Sequence, residues 1–545
     1  MKVVIIGGVA GGASCAARLR RVDEAAEIVM IERGPYVSYA NCGLPYHVGG
    51  VIEEEASLLI ANPQLFRDQF AIDVRTGTEA VAIDAMAKTV QLRDLATGAA
   101  HAETYDKLVL APGATSIKPP LPGINLPGIF HVRTVPDARA IRHRLGANPK
   151  GKRAVVIGGG FIGLEMVENL VHQGLAVTLV EMADQILAPL DVEQARPAEA
   201  LLRQHGVTLV LGEGVTGFVQ NSNGVIDVAT KSGATYPADI VILALGVRPD
   251  TALAKSAGLA LGERGGIKVD AHMRTSDPAI YAVGDAVEVR DIVTGADTLL
   301  ALAGPANRQG RIAADNIAGR SSTFRGVQGT AIIGLFGTTF AWTGASEKTL
   351  RRLGRTDYEK IYLYPNHHAR YYPGAKMISM KLIFAKSDGR IFGAQAYGEE
   401  GVDRRIDVIA TLIQMGGTVY DLEEAELCYA PQYGSAKDAA NFAGMIAANV
   451  LRHDMPLAHW NAGNTSLLLD VREPAEIAAY AVPGALNIPL KQLRARLTEI
   501  PRDREIAVIC RSGQRAYLAT RILLQNGYDA KTLSGGVLAV QQSET

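Results

Sequence analysis

Short unbroken apolar runs recur along this chain, and several pass through a glycine turn into residues whose apolar positions return at helical spacing. VVII (3–6) leads through GGVAGG into ASCAARLRR, which reads as buried strand, tight turn and helix, and IVMIE (28–32) supplies the next strand. RAVVI (153–157) repeats that order ahead of GGGFIGLEMVENL, and AVTLVE then ends at Glu181. KLVLAPGA (107–114) and IVILALGVRPD (240–250) are further strand-like runs. The segment from about 323 to 450 is rich in them, with MISMKLIF (377–384) and IFGAQAYG (391–398) the clearest. A polar, irregular stretch, RHDMPLAHWNAGNT (452–465), reads as a linker. Beyond it the alternation returns in SLLLDVREPAE (466–476), VPGALNIPL (482–490) and EIAVICRSGQRAYLA (505–519). The pattern predicts an α/β chain.

At 545 residues the chain is too long for one core and predicts three or four domains. A formal net charge of -1 gives no general electrostatic support for a nucleic-acid partner or an anionic membrane, so any anion site must be local. The apolar start is broken by glycines and followed by a basic amphipathic stretch, so no export signal is assigned. No run of 18 or more strongly apolar residues suggests a membrane span. Four isolated cysteines do not make a disulfide framework and suit a reducing cytoplasm.

Two segments carry nucleotide-binding spacing. In the first, Gly7 suits the tight turn and Gly12 close helix packing, with Val9 in the place of the middle glycine, and Glu32 lies 20 residues after Gly12. In the second, Gly158, Gly160 and Gly163 complete G-x-G-x-x-G, and Glu181 closes the following strand. Each helix N-terminus would turn its free N–H groups to a pyrophosphate. Glu181 would accept from a ribose 2′-OH and repel a 2′-phosphate, so NADH is expected in preference to NADPH.

Two cysteines stand in chemically suggestive strings. Cys42, in SYANCGLPY (38–46), has Cys15, Cys428 and Cys510 all remote in sequence, so any disulfide it forms is expected with a substrate. It must act as thiolate, the form that attacks sulfur. Cys510 follows the strand AVI, and the turn through Ser512, Gly513 and Arg515 would curl successive N–H groups around the sulfur ahead of a helix.

The two fingerprints, the strings at 107–114 and 240–250, and TSDPAIYAVGDA (275–286) together resemble the pyridine nucleotide-disulfide oxidoreductases. The resemblance implies a two-dinucleotide-binding-domain flavoprotein. FAD would be held by Gly7, Gly8, Ala10, Gly12, Glu32, Arg33, Val81, Ala111, Arg133, Asp285 and Ala303. NAD would be held by Gly158, Gly160, Ile162, Gly163, Glu165, Glu181 and Gly246, with Glu165 near nicotinamide and flavin. Residues 1–112 and 245–322 would form the FAD-binding domain around an NAD-binding insertion at 113–244. An α+β dimerisation domain would follow at 323–450, then a linker at 451–465 and an α/β domain at 466–545.

Glutathione-reductase-like members carry a CxxxxC pair beside the flavin, whereas His47 stands five places after Cys42 here. Cys42 would therefore cycle through a sulfenic acid, a mixed disulfide or a persulfide. SYANCGLPY, with Gly49 and Gly50 after it, resembles the coenzyme A-disulfide reductases. Flavin and a helix terminus are expected to lower the thiol's pKa. Arg18 and Arg21, three apart and so on one helix face, would join Ser38 and Asn41 beside the coenzyme A channel. Tyr371 in HHARYYPGA and Tyr429 in LCYAPQYGSAKD match the family tyrosines that reach the partner's cysteine, with Tyr433 a weaker match, which implies a homodimer. DVREP, PGALNIP and CRSGQRA resemble the rhodanese family, with Arg511, Ser512, Gly513, Gln514 and Arg515 around Cys510. Ala481 replaces the histidine common before PGA.

The implied activity is NADH-dependent reduction of a coenzyme A persulfide, polysulfide or coenzyme A disulfide, with no metal. The fused sulfur-handling domain favours the persulfide. Two alternatives share these motifs: an NADH oxidase or peroxidase using a sulfenic acid, and a low-turnover redox sensor or sulfur-carrier scaffold.

Overall fold

The computed structural model describes residues 1–460 and 466–544. The end of the expected linker, 461–465, and Thr545 therefore lie outside the described residues. Backbone contacts divide the chain into one unit of 1–186 with 205–327 and another of 187–204 with 328–545.

The first unit contains two five-stranded parallel sheets. One runs in the order Ile280–Ala282, Lys107–Leu110, Lys2–Ile6, Glu27–Ile31, Asp73–Arg75. The other runs Thr208–Val210, Ala176–Val180, Arg153–Ile157, Ile240–Leu243, Ile129–Phe130. Their inner strands are buried on both faces, which is why they read as continuous apolar runs. In each sheet the fingerprint strand, Lys2–Ile6 or Arg153–Ile157, sits where the strand order reverses, the position at which a doubly wound sheet opens its ligand crevice. Helix Ala10–Val22 lies so close to helix Ala303–Ile317 that a Cβ on Gly310 would strike the Gly11 carbonyl. Cys15 is fully buried, and burial pushes its thiol up to about 12, so it packs rather than reacts.

In the second unit an antiparallel sheet runs Ala331–Leu335, Thr338–Gly344, Ile391–Gly398, Ser379–Ala385, Tyr358–Leu363. A parallel sheet runs Leu457–Ala458, Ala530–Leu533, Ile506–Ile509, Leu467–Asp470, Leu486–Asn487. Two expected boundaries move. Leu457 and Ala458, inside the expected linker, pair in parallel with Thr532 and Leu533 and belong to the terminal sheet. Helix Val192–Gln204, inside the expected span 113–244, groups with the second unit.

Charge explains the second shift. Lys381, fully buried in strand Ser379–Ala385, ion-pairs with Asp191 at 2.8 Å, Glu347 at 2.6 Å and Glu193. Its ammonium is held well above the ordinary lysine value, Tyr362 and the surrounding carboxylates together outweighing desolvation. The three carboxylates lie close enough together to ligate a cation, and Lys381 supplies the compensating charge. The apolar periodicity of MISMKLIF hides this arrangement, because one lysine in a strand reads as a surface residue.

Candidate active site

Glycine permits the first turn to close. Gly7 has φ +98°, and a Cβ there would meet the Ala111 carbonyl, while one on Gly12 would meet the Gly7 carbonyl. Gly158 and Gly163 repeat this against Ala244 and Gly158. Helices Ala10–Val22, Phe161–His172 and Ala303–Ile317 start at Val9, Gly160 and Leu302, none of which makes a side-chain cap. Their first N–H groups are left open to anions, so the residues fit two pyrophosphate-bearing cofactors. Ile162 lies in the first turn of the second of these helices and Ala303 begins the third.

The two acidic residues take the same role in both halves. Glu32 accepts from the N–H of Gly8 at 2.9 Å and of Gly34 at 2.7 Å. Glu181 accepts from Gly159 at 2.6 Å and Ala183 at 2.8 Å. Each carboxylate is thereby fixed beside its glycine turn with lone pairs to spare for a ribose hydroxyl. Arg33 is exposed, 3.9 Å from Glu79. Val81 is exposed at a register shift in strand Thr78–Asp84. Gly246, with φ +88°, accepts from the Ile117 N–H at 3.0 Å. Asp285 sits in the turn Gly284–Ala286, 3.5 Å from Arg133, and burial raises its carboxyl.

Cys42 is exposed and lies in the short turn Asn41–Gly43, which leads into the one-turn helix Leu44–Val48. Partial desolvation, then the charges of Glu165 and Asp285, hold its thiol above the ordinary value. This reverses the expected lowering as far as the chain's own groups are concerned. Burial and the two carboxylates outweigh the single lowering contribution, a hydrogen bond from the local backbone. Glu165 is itself raised to about 7 by burial, and its Oε1 accepts from the Tyr46 hydroxyl at 3.3 Å. A proton on Glu165 removes the larger of the two repulsions on Cys42. His47, at the position of a resolving cysteine, is buried, with Nδ1 2.7 Å from the Ile52 carbonyl and Arg142 against its ring.

A cleft of about 510 Å³ opens along helix Ala10–Val22, lined by Arg18, Arg21, Ser38, Phe66, Phe70 and Arg311 among others. Arg18 is tied to Asp315 at 2.8 Å. Arg21 and Arg311 make no hydrogen bond or ion pair among the described residues, which leaves their donors for a ligand. Asn41 is not part of the cleft wall, and its Nδ2 points to the Arg133 carbonyl at 3.5 Å. Arg311 and Tyr46 were missed in the sequence. Arg311 has no motif of its own, whereas Tyr46 stands one helical turn beyond Cys42 within the cysteine string.

In the second unit the hydroxyls of Tyr371 and Tyr429 meet at 2.8 Å, both side chains exposed. Tyr433 is exposed as well, and its carbonyl accepts from Arg404 at 3.0 Å. Cys510 is buried at the end of strand Ile506–Ile509, and its sulfur accepts from the Gly513 N–H at 3.1 Å. Gly513, with φ +97°, precedes helix Gln514–Gln525. Arg515 is held by Glu476 through two bonds of 2.6 Å, a partner the sequence pattern did not disclose.

Residues 1–310 match the family model described as pyridine nucleotide-disulphide oxidoreductase, and 331–440 match the dimerisation domain of the same family. The chain belongs to that family. Residues 457–543 match a rhodanese-like domain, so the flavoprotein oxidoreductase carries a C-terminal rhodanese-like domain and the expected fold class holds. The chain is 33% identical over 449 residues to the coenzyme A disulfide reductase of Staphylococcus epidermidis strain RP62A, covering 82% of this chain and 99% of that protein. The reduced Bacillus anthracis protein CoADR-RHD superposes with a TM-score of 0.96 at 46% identity, covering 99% of this chain and 98% of that one. A NAD-dependent persulfide reductase from A. fulgidus superposes with a TM-score of 0.91 at 39% identity, covering 99% and 100%. Both of these structures are thus similar to the chain over nearly its whole length. Among the described residues no helix is long and apolar enough to cross a membrane.

Proposed function

We propose that this oxidoreductase uses NADH and FAD to reduce a coenzyme A persulfide or coenzyme A disulfide at Cys42, and that its rhodanese-like domain handles the sulfane sulfur at Cys510. The observation that carries the proposal is the cleft lined by Arg21, Arg311 and Ser38, the last of which lies four residues before the exposed Cys42 in sequence. The two arginines suit the phosphates of a coenzyme A chain, and Phe66 and Phe70 offer apolar surface beside them.

The Cys42 thiolate attacks the substrate's S–S bond. With the disulfide, one coenzyme A leaves as thiolate and the other stays on Cys42 as a mixed disulfide. With the persulfide, attack on the terminal sulfur releases coenzyme A thiolate and leaves Cys42 as a persulfide. Two electrons return the cysteine to thiolate and release coenzyme A thiolate or hydrosulfide. FAD, when bound, supplies the two-electron relay from the nicotinamide. Glu165 holds or gives up a proton beside Cys42 and so sets the charge against which the thiolate forms. Tyr371 and Tyr429 would donate to the leaving sulfur of the other subunit in a homodimer. Glu181 would select NADH by repelling a 2′-phosphate. In the terminal domain the Gly513 N–H donates to the Cys510 sulfur at the start of helix Gln514–Gln525 and would orient it for sulfur transfer.

Steady-state NADH oxidation with coenzyme A persulfide, coenzyme A disulfide and hydrogen peroxide tests the proposal. Turnover with either coenzyme A substrate should exceed that with peroxide and vanish in Cys42→Ser. Faster peroxide turnover, or a Cys42→Ser enzyme that still reduces persulfide, would overturn it.

A further inference from the structure

The loop that carries Cys510 is shaped from outside by the segment Ser534–Gly535–Gly536. The Cys510 carbonyl accepts from the Val537 N–H at 2.9 Å and the Arg511 carbonyl from the Leu538 N–H at 3.0 Å, both donors in the first turn of helix Gly536–Glu544. A trans peptide points its C=O and the next residue's N–H in opposite directions. Fixing these two carbonyls therefore turns the N–H groups of Arg511 and Ser512 away from that helix, while the Gly513 N–H lies on the sulfur. Close approach is possible only because Gly536, at φ +59°, has no Cβ: one there would strike the Cys510 carbonyl.

The same segment rests on the antiparallel sheet. Strand Tyr358–Leu363 is an edge of that sheet, and its Tyr362 N–H is capped by the buried Ser534 hydroxyl at 3.2 Å. Gly535, at φ +75°, packs so tightly that a Cβ would lie 2.8 Å from Tyr362 Cβ and 2.7 Å from Ala539 Cβ. Tyr362 is in turn anchored by its hydroxyl to Glu193 at 2.8 Å, with Lys381 5.4 Å from its ring centroid. Farther along the helix, Gln542 donates to the Tyr397 hydroxyl at 2.6 Å and accepts from Tyr364 at 3.0 Å. The Trp460 indole N–H closes the other side on the Gly536 carbonyl at 2.9 Å.

We propose that Ser534 and Gly535 are positioning residues for Cys510, through which the edge of the antiparallel sheet sets the geometry of the sulfur-transfer loop. The inference rests on the reading of Cys510 as the sulfur-transfer cysteine. It makes that activity depend on a strand outside the rhodanese-like domain, so the two modules are coupled mechanically as well as by any shared substrate.

The test uses the full-length holoenzyme, with thiosulfate as sulfur donor and cyanide as acceptor. It reads kcat and the KM for thiosulfate separately, together with the rate of Cys510 alkylation by iodoacetamide, quantified on the Cys510 peptide. Ser534→Ala leaves the Tyr362 N–H without its cap and should slow sulfur transfer about fivefold, the effect of one hydrogen bond. It should act on kcat with the KM for thiosulfate nearly unchanged and slow Cys510 alkylation, with NADH-dependent turnover at Cys42 unchanged. Gly535→Ala should do the same more strongly. Unaltered kcat for transfer and an unaltered alkylation rate in folded Ser534→Ala protein would overturn the buttress. Transfer that survives Cys510→Ser would instead overturn the assignment of Cys510, and the two failures are distinct.

Discussion

The hydroxyls of Tyr371 and Tyr429, 58 residues apart in sequence, lie 2.8 Å from each other on exposed loops. Two strings singled out separately therefore converge on one point, and their shared hydrogen bond raises the Tyr371 phenol. A pair of adjacent phenols can pass a donated proton between them. Tyr371→Phe and Tyr429→Phe should each lower kcat with the coenzyme A substrate about tenfold. The double variant should be little worse than either single, because the hydroxyls act as a unit. Reduction of the flavin by NADH, followed by stopped-flow absorbance, should be unchanged in all three.

Glu165 predicts a pH dependence with a definite sign. Its folded pKa of about 7 lies above the ordinary 4.5, so its stabilising contribution is complete below the ordinary value and is lost as pH rises through about 7. Glu165→Gln should be the more stable protein at pH 8, by roughly 3 kcal/mol, and no different near pH 4. Denaturant unfolding at the two pH values checks this. The same substitution should lower the pH midpoint of Cys42 alkylation, since the ionised carboxylate raises that thiol.

Glu181 is fixed by the N–H groups of Gly159 and Ala183, so its charge cannot swing away from a 2′-phosphate. The ratio of kcat/KM for NADH over NADPH should fall about tenfold or more in Glu181→Ala, through better use of NADPH. An unchanged ratio would remove Glu181 from the discrimination.

Arg18 and Arg21 should separate cleanly. Arg21 has no protein partner among the described residues, so Arg21→Ala should raise KM for the coenzyme A substrate about tenfold with kcat nearly unchanged. Arg18 is bound to Asp315, so Arg18→Ala should chiefly lower the thermal unfolding midpoint.

The parallel sheets and both glycine turns were legible because each rests on local grammar: an apolar run, a glycine at positive φ, a helix start. Contacts between distant segments were not. Nothing near Asp315 announces Arg18, nothing near Glu476 announces Arg515, and Lys381 with Asp191, Glu193 and Glu347 assembles only when three segments meet. The same holds for the thiol of Cys42. Its flanking string suggested activation, while burial, and after it the charges of Glu165 and Asp285, 123 and 243 residues away, raise it. Leu457 and Ala458 looked like linker because a two-residue strand has too little periodicity to register.

Mass spectrometry of the Cys42 peptide most directly tests the claim that the substrate's own sulfur takes the place of a resolving cysteine. The protein is incubated with coenzyme A disulfide, quenched by acid, and compared with a portion treated with NADH before quenching. A coenzyme A adduct on Cys42 that NADH removes, absent from Cys42→Ser, is the expected result. An oxygen adduct alone on Cys42, or no coenzyme A adduct there, would contradict it.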